Sequence, residues 1–354
     1  MQRICSSLAT QGYEVCLVGR KKRTSPAIAN AEYVQKRLFC FSEKGFLFYA
    51  EYNIRLFFFL LFQPAELVCA IDLDTILPVY LATVLRRKKR VYDAHELFTE
   101  QAEVISRPAI HRFWEGLAQR LVPQFPDGYT VNAAIRDELR NRYGVSYNVI
   151  RNLPVMTGPD TRNRLHMPVQ PFIICQGAVN EGRCFETLIP AMKYVEATLM
   201  IYGEGNFSEQ ARDLIRKYHL EERVLLPGAV PPPRLRQITP SALFGITLFE
   251  RTGLNQYLSL SNKFFDYIMA GIPQICCDYP EYALINSAHP VALLVEDTSV
   301  ETLATAMNKL LRDSVLYNTL RANCSSAAQV FNWNAEKEKL LAFYDDIFSG
   351  RKPK

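Results

Sequence analysis

The feature that most constrains this chain is an alternation, run through twice, of short apolar segments with longer segments of helical period. Residues 14–18, 67–71, 90–92, 128–131 and 148–150 are strand-length, and the stretches 1–11, 52–62, 75–86, 108–122 and 132–143 carry apolar residues every three to four positions. Strands apolar on both faces must be covered on both faces, and a parallel sheet flanked by helices does that. Residues 154–170 then break the pattern with Pro154, Gly158, Pro159 and Pro168, which is linker composition. A second series follows, with strands at 172–175, 198–202, 224–226, 243–248 and 273–276 and helices at 184–194, 207–219, 261–270, 299–312 and 314–330. The chain therefore reads as two doubly wound α/β domains, 1–155 and 168–330, with a last helix at 334–349. A doubly wound domain opens with a strand, yet here the first periodic segment is a helix. The expected first strand would precede Met1, so the first domain is expected to lack it.

Composition excludes several classes. Hydrophobic residues make up 49% and charged residues 22% of the 354, which is globular. Forty-one Lys and Arg against 36 Asp and Glu leave a net charge of +5. That suits an anionic ligand or a membrane surface and does not call for nucleic acid. The longest purely apolar run, Leu56 to Phe62, is far short of the roughly 20 residues of a membrane span, so no spanning helix is expected. The N-terminus has no signal-peptide pattern. Nine cysteines, with no C-x-x-C spacing, read as reduced core residues of a cytoplasmic protein.

Five constellations could carry chemistry. Gln176–Arg183 holds Gly177 and Gly182 in a turn after a strand, a place where backbone N–H groups can face a phosphate, with Arg183 adding charge; the plain reading is a βα turn with a surface arginine. Tyr202-Gly203-Glu204-Gly205 ends a second strand, and Gly205 permits close approach of a ligand. Leu226–Pro231 is a stiff turn. In Ser259–Pro273, Lys263 and Asp266 stand three apart on one helix, near enough to hold a phosphate and a sugar diol, or merely each other. In the first domain, Asp72 and Asp74 end one strand, while Asp93, His95, Glu96 and Glu100 end the next. Acids at the carboxyl ends of neighbouring strands line the place where open α/β sheets bind ligands; acids at a helix start also serve its dipole.

In their order and spacing these segments resemble the group 1 transferases of glycosyltransferase family 4, over nearly the whole chain. The resemblance implies the GT-B fold: two Rossmann-like domains facing across a cleft, the second binding a nucleotide sugar, with the terminal segment from Phe331-Asn332-Trp333 crossing back to the first. It implies transfer of a sugar from a nucleotide diphosphate donor to a hydroxyl of a glycan or lipid-linked acceptor, with retention at the anomeric carbon, in cell-surface polysaccharide or glycoconjugate synthesis. Arg183 falls on the family's diphosphate-binding position, Asp266 on that of the ribose-binding glutamate, and His95 on the histidine near the reacting sugar. Two positions depart from the family: Ala178 stands where an arginine is common, and Leu258 where a glutamate precedes Asp266 by eight. Glu250 can substitute for the latter, and Lys263 for lost phosphate charge. Asp72, Asp74, Asp93 and Glu96 would line the acceptor side. No metal or other cofactor is implied. A nucleotide-sugar epimerase of the same fold and an inactive truncated relative are the rivals; a dinucleotide oxidoreductase is not, since no G-x-G-x-x-G follows a strand.

A second reading attaches to Leu56–Phe62 with Arg86-Arg87-Lys88-Lys89-Arg90: an apolar helix with basic neighbours docking peripherally at the inner face of a membrane. The sequence favours the plainer alternative, a buried helix beside a solvated loop.

Overall fold

The computed structural model describes residues 1–350 except 24, 26 and 157–170, so most of the linker segment lies outside the described residues. The chain divides into two compact units, 1–151 with 336–354 and 152–335.

The first unit contains α1 (Gln2–Ala9), β1 (Cys16–Lys21), β2 (Val34–Phe39), α2 (Gly45–Phe62), β3 (Leu67–Ile71), α3 (Ile76–Arg86), β4 (Lys89–Ala94), α4 (Ala102–Ile105), α5 (Pro108–Leu121), β5 (Asp127–Thr130), α6 (Ala133–Tyr143) and β6 (Asn148–Val149). β3, β4, β5 and β6 form one parallel sheet in that order, and β1 and β2 form a separate parallel pair. Among the described residues nothing hydrogen-bonds the free edge of β1 to that of β3. Local chemistry sets the ends: Asn132 Oδ1 accepts the Ile135 N–H at 2.8 Å to start α6, and Gly144, at φ 69°, ends it.

The structure revises four sequence readings. β2 is not expected, because Gln35-Lys36-Arg37 interrupts its apolar pattern; it is an edge strand on which Lys36 is exposed together with Val34 and Phe39, while Gln35 and Arg37 are half-buried. α2 begins at Gly45 rather than 52, for Glu51 and Arg55, which break the apolar run, pair with each other at 2.9 Å. Thus α2 has 18 residues and a mean hydropathy of 1.3, long and apolar enough to cross a membrane by length and composition, contrary to the expectation of no such helix. It is also not the buried helix the sequence favoured: Tyr52, Leu56 and Leu60 are its only buried residues.

The second unit contains β7 (Phe172–Gln176), α7 (Phe185–Ala191), β8 (Thr198–Tyr202), α8 (Ser208–Lys217), β9 (Val224–Leu225), α9 (Pro232–Ile238), β10 (Gly245–Thr247), α10 (Leu254–Leu258), α11 (Asn262–Ala270), β11 (Gln274–Cys277), α12 (Pro280–Ala288), β12 (Ala292–Val295), α13 (Val300–Arg312) and α14 (Ser314–Val330). Its six parallel strands run β12-β11-β10-β7-β8-β9. The chain winds outward from β7 to β9, then returns to β10 on the other side of β7, so strand order reverses between β7 and β10. Both faces of β7 are buried, as its unbroken apolar sequence requires. α15 (Trp333–Ser349) lies in the first unit from Glu336 onward, where Glu336 Oε1 accepts the Arg151 N–H at 2.8 Å and Ile347 O accepts from Lys89 Nζ at 2.6 Å. All nine cysteines are unpaired.

Candidate active site

At the reversal point Gly245 of β10 stands in register with Ile174 of β7, whose N–H donates to Phe244 O at 3.0 Å. The wedge is Tyr267 of α11. A Cβ on Gly245 would overlap its ring, its hydroxyl lies 3.3 Å from Ile174 O, and that hydroxyl accepts the Gln176 N–H at 3.2 Å. Strands held apart in this way leave a crevice at their carboxyl ends, the place where open α/β sheets take ligands.

Three loops form one wall. Gly177 N–H donates to Tyr202 O at 3.0 Å, Val179 N–H to Glu204 O at 3.1 Å, and Gly203 N–H to Gly228 O at 3.0 Å. The glycines serve this packing. Gly177 has φ +115°, a conformation L side chains avoid, and a Cβ at Gly205 would overlap Val179 O and Asn180 Oδ1.

The charged groups converge on β7 and α11. The guanidinium of Arg183 lies 4.3 Å from the centroid of the buried Phe249 ring, and Lys263 Nζ lies 5.0 Å from the same centroid. Burial lowers the Lys263 pKa, and the adjacent positive charge of Arg183 lowers it further. One helical turn on, Asp266 Oδ2 accepts from Gln176 Nε2 at 3.1 Å, while Thr239 Oγ1 holds Gln176 Oε1 at 2.9 Å. This fixes the Asp266 carboxylate at the end of β7. Glu250 donates its N–H to Gly182 O at 3.0 Å, and burial, with Glu186 and Glu181 adding to it, pushes its carboxyl pKa up. Two cations on one aromatic ring, a carboxylate anchored beside them and a half-buried acid on the adjoining loop can hold a diphosphate together with neighbouring hydroxyls.

Sequence reasoning named Arg183, Lys263, Asp266 and Glu250 and passed over their supports. Gln176 had a visible signal, as the residue before the first glycine of its turn. Phe249 and Tyr267 had none.

In the first unit Ile71 of β3 pairs in register with Asp93 of β4, which sets the two acidic segments side by side. Asp72 has φ 55°, strained for a non-glycine residue, with its N–H bonded to Asp93 O at 2.9 Å and its Oδ1 accepting the His95 N–H at 2.8 Å. His95 Nε2 lies 3.1 Å from Asp93 Oδ2 and 3.3 Å from Met1 Sδ. Burial pushes Asp72 up, with Glu96 and Asp93 adding and His95 opposing, and burial with Glu96 pushes Asp74 up to about 6. For His95, burial pulls the pKa down but the carboxylates of Asp93 and Asp72 outweigh it, so the net shift is upward. Glu96 accepts from Gln101. The imidazole and four carboxylates are thus one cluster, able to bind hydroxyls and hold a proton at neutral pH. Among the described residues, no group of three His, Cys, Asp or Glu is placed to hold a metal ion.

A raised folded-state value means the His95–Asp93 pair stabilises the fold at acidic pH and loses this contribution as pH climbs past that value. Asp93→Asn removes the main upward contribution and leaves burial dominant. Two-dimensional NMR of the five histidines is expected to show one imidazole, that of His95, titrating at lower pH in the variant. An unmoved titration would show that Asp93 does not hold the ring.

Residues 162–331 match the family described as glycosyl transferases group 1. No curated protein sequence matches the chain. Among solved structures, sucrose-phosphate synthase of Thermosynechococcus elongatus is similar over 98% of this chain and 92% of its own, at 18% identity and a TM-score of 0.81. HepE of Anabaena, solved in complex with UDP-glucose, is similar over 94% of this chain and 99% of its own, at 13% identity and a TM-score of 0.72. The pneumococcal O-GlcNAc transferase GtfA, in complex with UDP and GlcNAc, aligns with 84% of this chain and 60% of its own, at 15% identity and a TM-score of 0.64. The second unit therefore carries a glycosyl transferases group 1 domain, and the likeness in fold extends through the first, so the chain has the GT-B fold.

Proposed function

We propose that this glycosyltransferase moves a sugar from a nucleoside diphosphate sugar to a hydroxyl of a glycan or lipid-linked acceptor, with retention at the anomeric carbon, in making a cell-surface polysaccharide or glycoconjugate at the cytoplasmic face of a membrane. The observation that carries the reading is the convergence of Arg183 and Lys263 on Phe249 beside the anchored Asp266. As the glycosidic bond to the diphosphate breaks, positive charge builds on the anomeric centre and negative charge on the leaving oxygen. Arg183 and Lys263 meet the latter, and fixed cations in a half-buried site are the largest lever available for such a step. Asp266, held by Gln176, accepts hydrogen bonds from the ribose hydroxyls. Glu250 takes hydroxyls of the donor sugar, His95 contacts the sugar or the acceptor, and Asp72, Asp74, Asp93 and Glu96 serve the acceptor side. UDP in the complexes of HepE and GtfA makes uridine diphosphate sugars the first donors to try.

The test is release of free nucleotide from UDP-glucose and UDP-N-acetylglucosamine, with and without a mixture of glycan and lipid-linked acceptors. Acceptor-dependent release and a product with the donor's anomeric configuration by proton NMR are expected. Conversion of the donor to its epimer without acceptor would replace this reading with the epimerase, and no turnover despite tight binding would mark an inactive relative.

A further inference from the structure

Two helices of the first unit present apolar residues where solvent-facing charges belong. On α2 the exposed apolar side chains after Phe46 are Leu47, Ile54, Phe58 and Phe62, a seven-four-four spacing that places them on one face; Leu47 is 70% exposed and Phe62 80%. On α3 the exposed positions are Leu77, Leu81, Val84 and Leu85, again one face, with Leu85 67% exposed. The two helices lie side by side and run the same way. Asn53 Nδ2 donates to Asp74 O at 2.9 Å near the start of α3, and Arg86 Nη1 donates to Leu60 O at 2.9 Å and to Gln63 O at its end. Phe46, before the α2 face, meets Phe113 of α5 edge-on at 6.5 Å, and Phe113 is itself exposed. A contiguous exposed apolar area of this kind marks an interaction surface.

Cations stand at both ends of this surface. Arg87 and Lys88 follow α3, with no side-chain hydrogen bond or ion pair among the described residues. Lys89 and Arg90 are bound to Ile347 O and Gln124 O, so the basic run is only partly available. Lys44 precedes α2, and Arg112 adjoins Phe113; the exposed acids nearby are Glu43 and Glu66. α2 is tied along its length to α3 through Asn53 and Arg86, so it lies on the unit's surface.

We propose that the exposed faces of α2 and α3 dock on an anionic lipid bilayer, their Leu, Ile, Val and Phe side chains entering the interface and Arg87 and Lys88 meeting lipid phosphates. The charge decides for a bilayer over a second copy of the chain: a self-complementary apolar contact would set one cation-bearing end of this surface against another, whereas anionic headgroups neutralise both. This inference is independent of the donor-site assignment.

The test is co-sedimentation of the full chain with vesicles of phosphatidylcholine, with and without phosphatidylglycerol. Pelleting is expected to be at least about tenfold stronger on the anionic vesicles and to fall with salt. Phe58→Ser with Phe62→Ser, and separately Leu81→Ser with Leu85→Ser, should each cut partition by about tenfold or more. Arg87→Gln with Lys88→Gln should remove the preference for anionic lipid. Phe58→Trp gives an internal report, since its emission should shift to the blue on binding. No wild-type binding, or binding that both serine pairs leave unchanged, overturns the proposal. So does a wild-type dimer in solution that the serine pairs convert to monomer while vesicles bind nothing.

Discussion

Arg183→Ala and Lys263→Ala are each expected to weaken binding of uridine diphosphate by more than about tenfold, the lower end of what a hydrogen bond to a charged group contributes. The two side chains share the Phe249 ring, and Lys263 holds its proton reluctantly there because it is buried and Arg183 is close. A diphosphate between them reverses that balance: it favours the charged lysine, so its pKa rises on binding and the protein takes up a proton. Calorimetry in buffers of different ionisation enthalpy reads this uptake directly, on the alkaline side between the lowered value and the ordinary 10.5. The same argument has a cost in the empty protein. A lysine with a lowered folded-state pKa destabilises the fold at pH below that value, and the penalty fades as pH rises toward 10.5. Lys263→Met should therefore melt at a higher temperature than the wild type without nucleotide, while losing affinity. Wild-type affinity in both alanine variants would remove the phosphate assignment from these residues, and a lower melting temperature for Lys263→Met would show the ammonium to be structural.

What the sequence made legible follows physical range. The tandem alternation of strand and helix was legible because a buried parallel strand must be apolar on both sides, as β7 is. The Lys263–Asp266 relation was legible because three positions on a helix fix a neighbourhood. The acidic cluster was legible in part, since Asp72 and Asp93 each end an apolar run. Their register across β3 and β4 and the positive φ of Asp72 depend on tertiary pairing. Gln176 and Asp266 stand 90 positions apart, and no local pattern announces that the amide of one orients the carboxylate of the other. Pattern misled at α2, where two charged residues that satisfy each other looked like the helix's polar boundary, and the truly exposed positions are aromatic and aliphatic.

The loops that wall the crevice depend on glycines for a reason that separates them from ordinary turn glycines, and this supplies the largest expected effect on stability. A Cβ added at Gly203 would overlap the carbonyl oxygen and carbon of Gly177, which are backbone atoms that cannot rotate away. At Gly182, with φ +76°, a Cβ would meet nothing, so substitution there carries only the backbone cost of about 1 kcal/mol. Gly203→Ala must push the β7 and β8 loops apart, breaking the Gly177–Tyr202 and Gly203–Gly228 hydrogen bonds together. Overpacking against backbone belongs at the upper end of the roughly 1–3 kcal/mol range, a fall in melting temperature on the order of 10 °C for a unit of this size. Because the displaced wall includes Gly177 and leads to Arg183, nucleotide affinity should fall with it. Gly182→Ala should cost only a few degrees and keep most of the affinity. Equal melting temperatures for the two variants in a thermal scan would mean that the loops are not packed as tightly as the contact between Gly203 and Gly177 requires, and the crevice would lose its rigid wall.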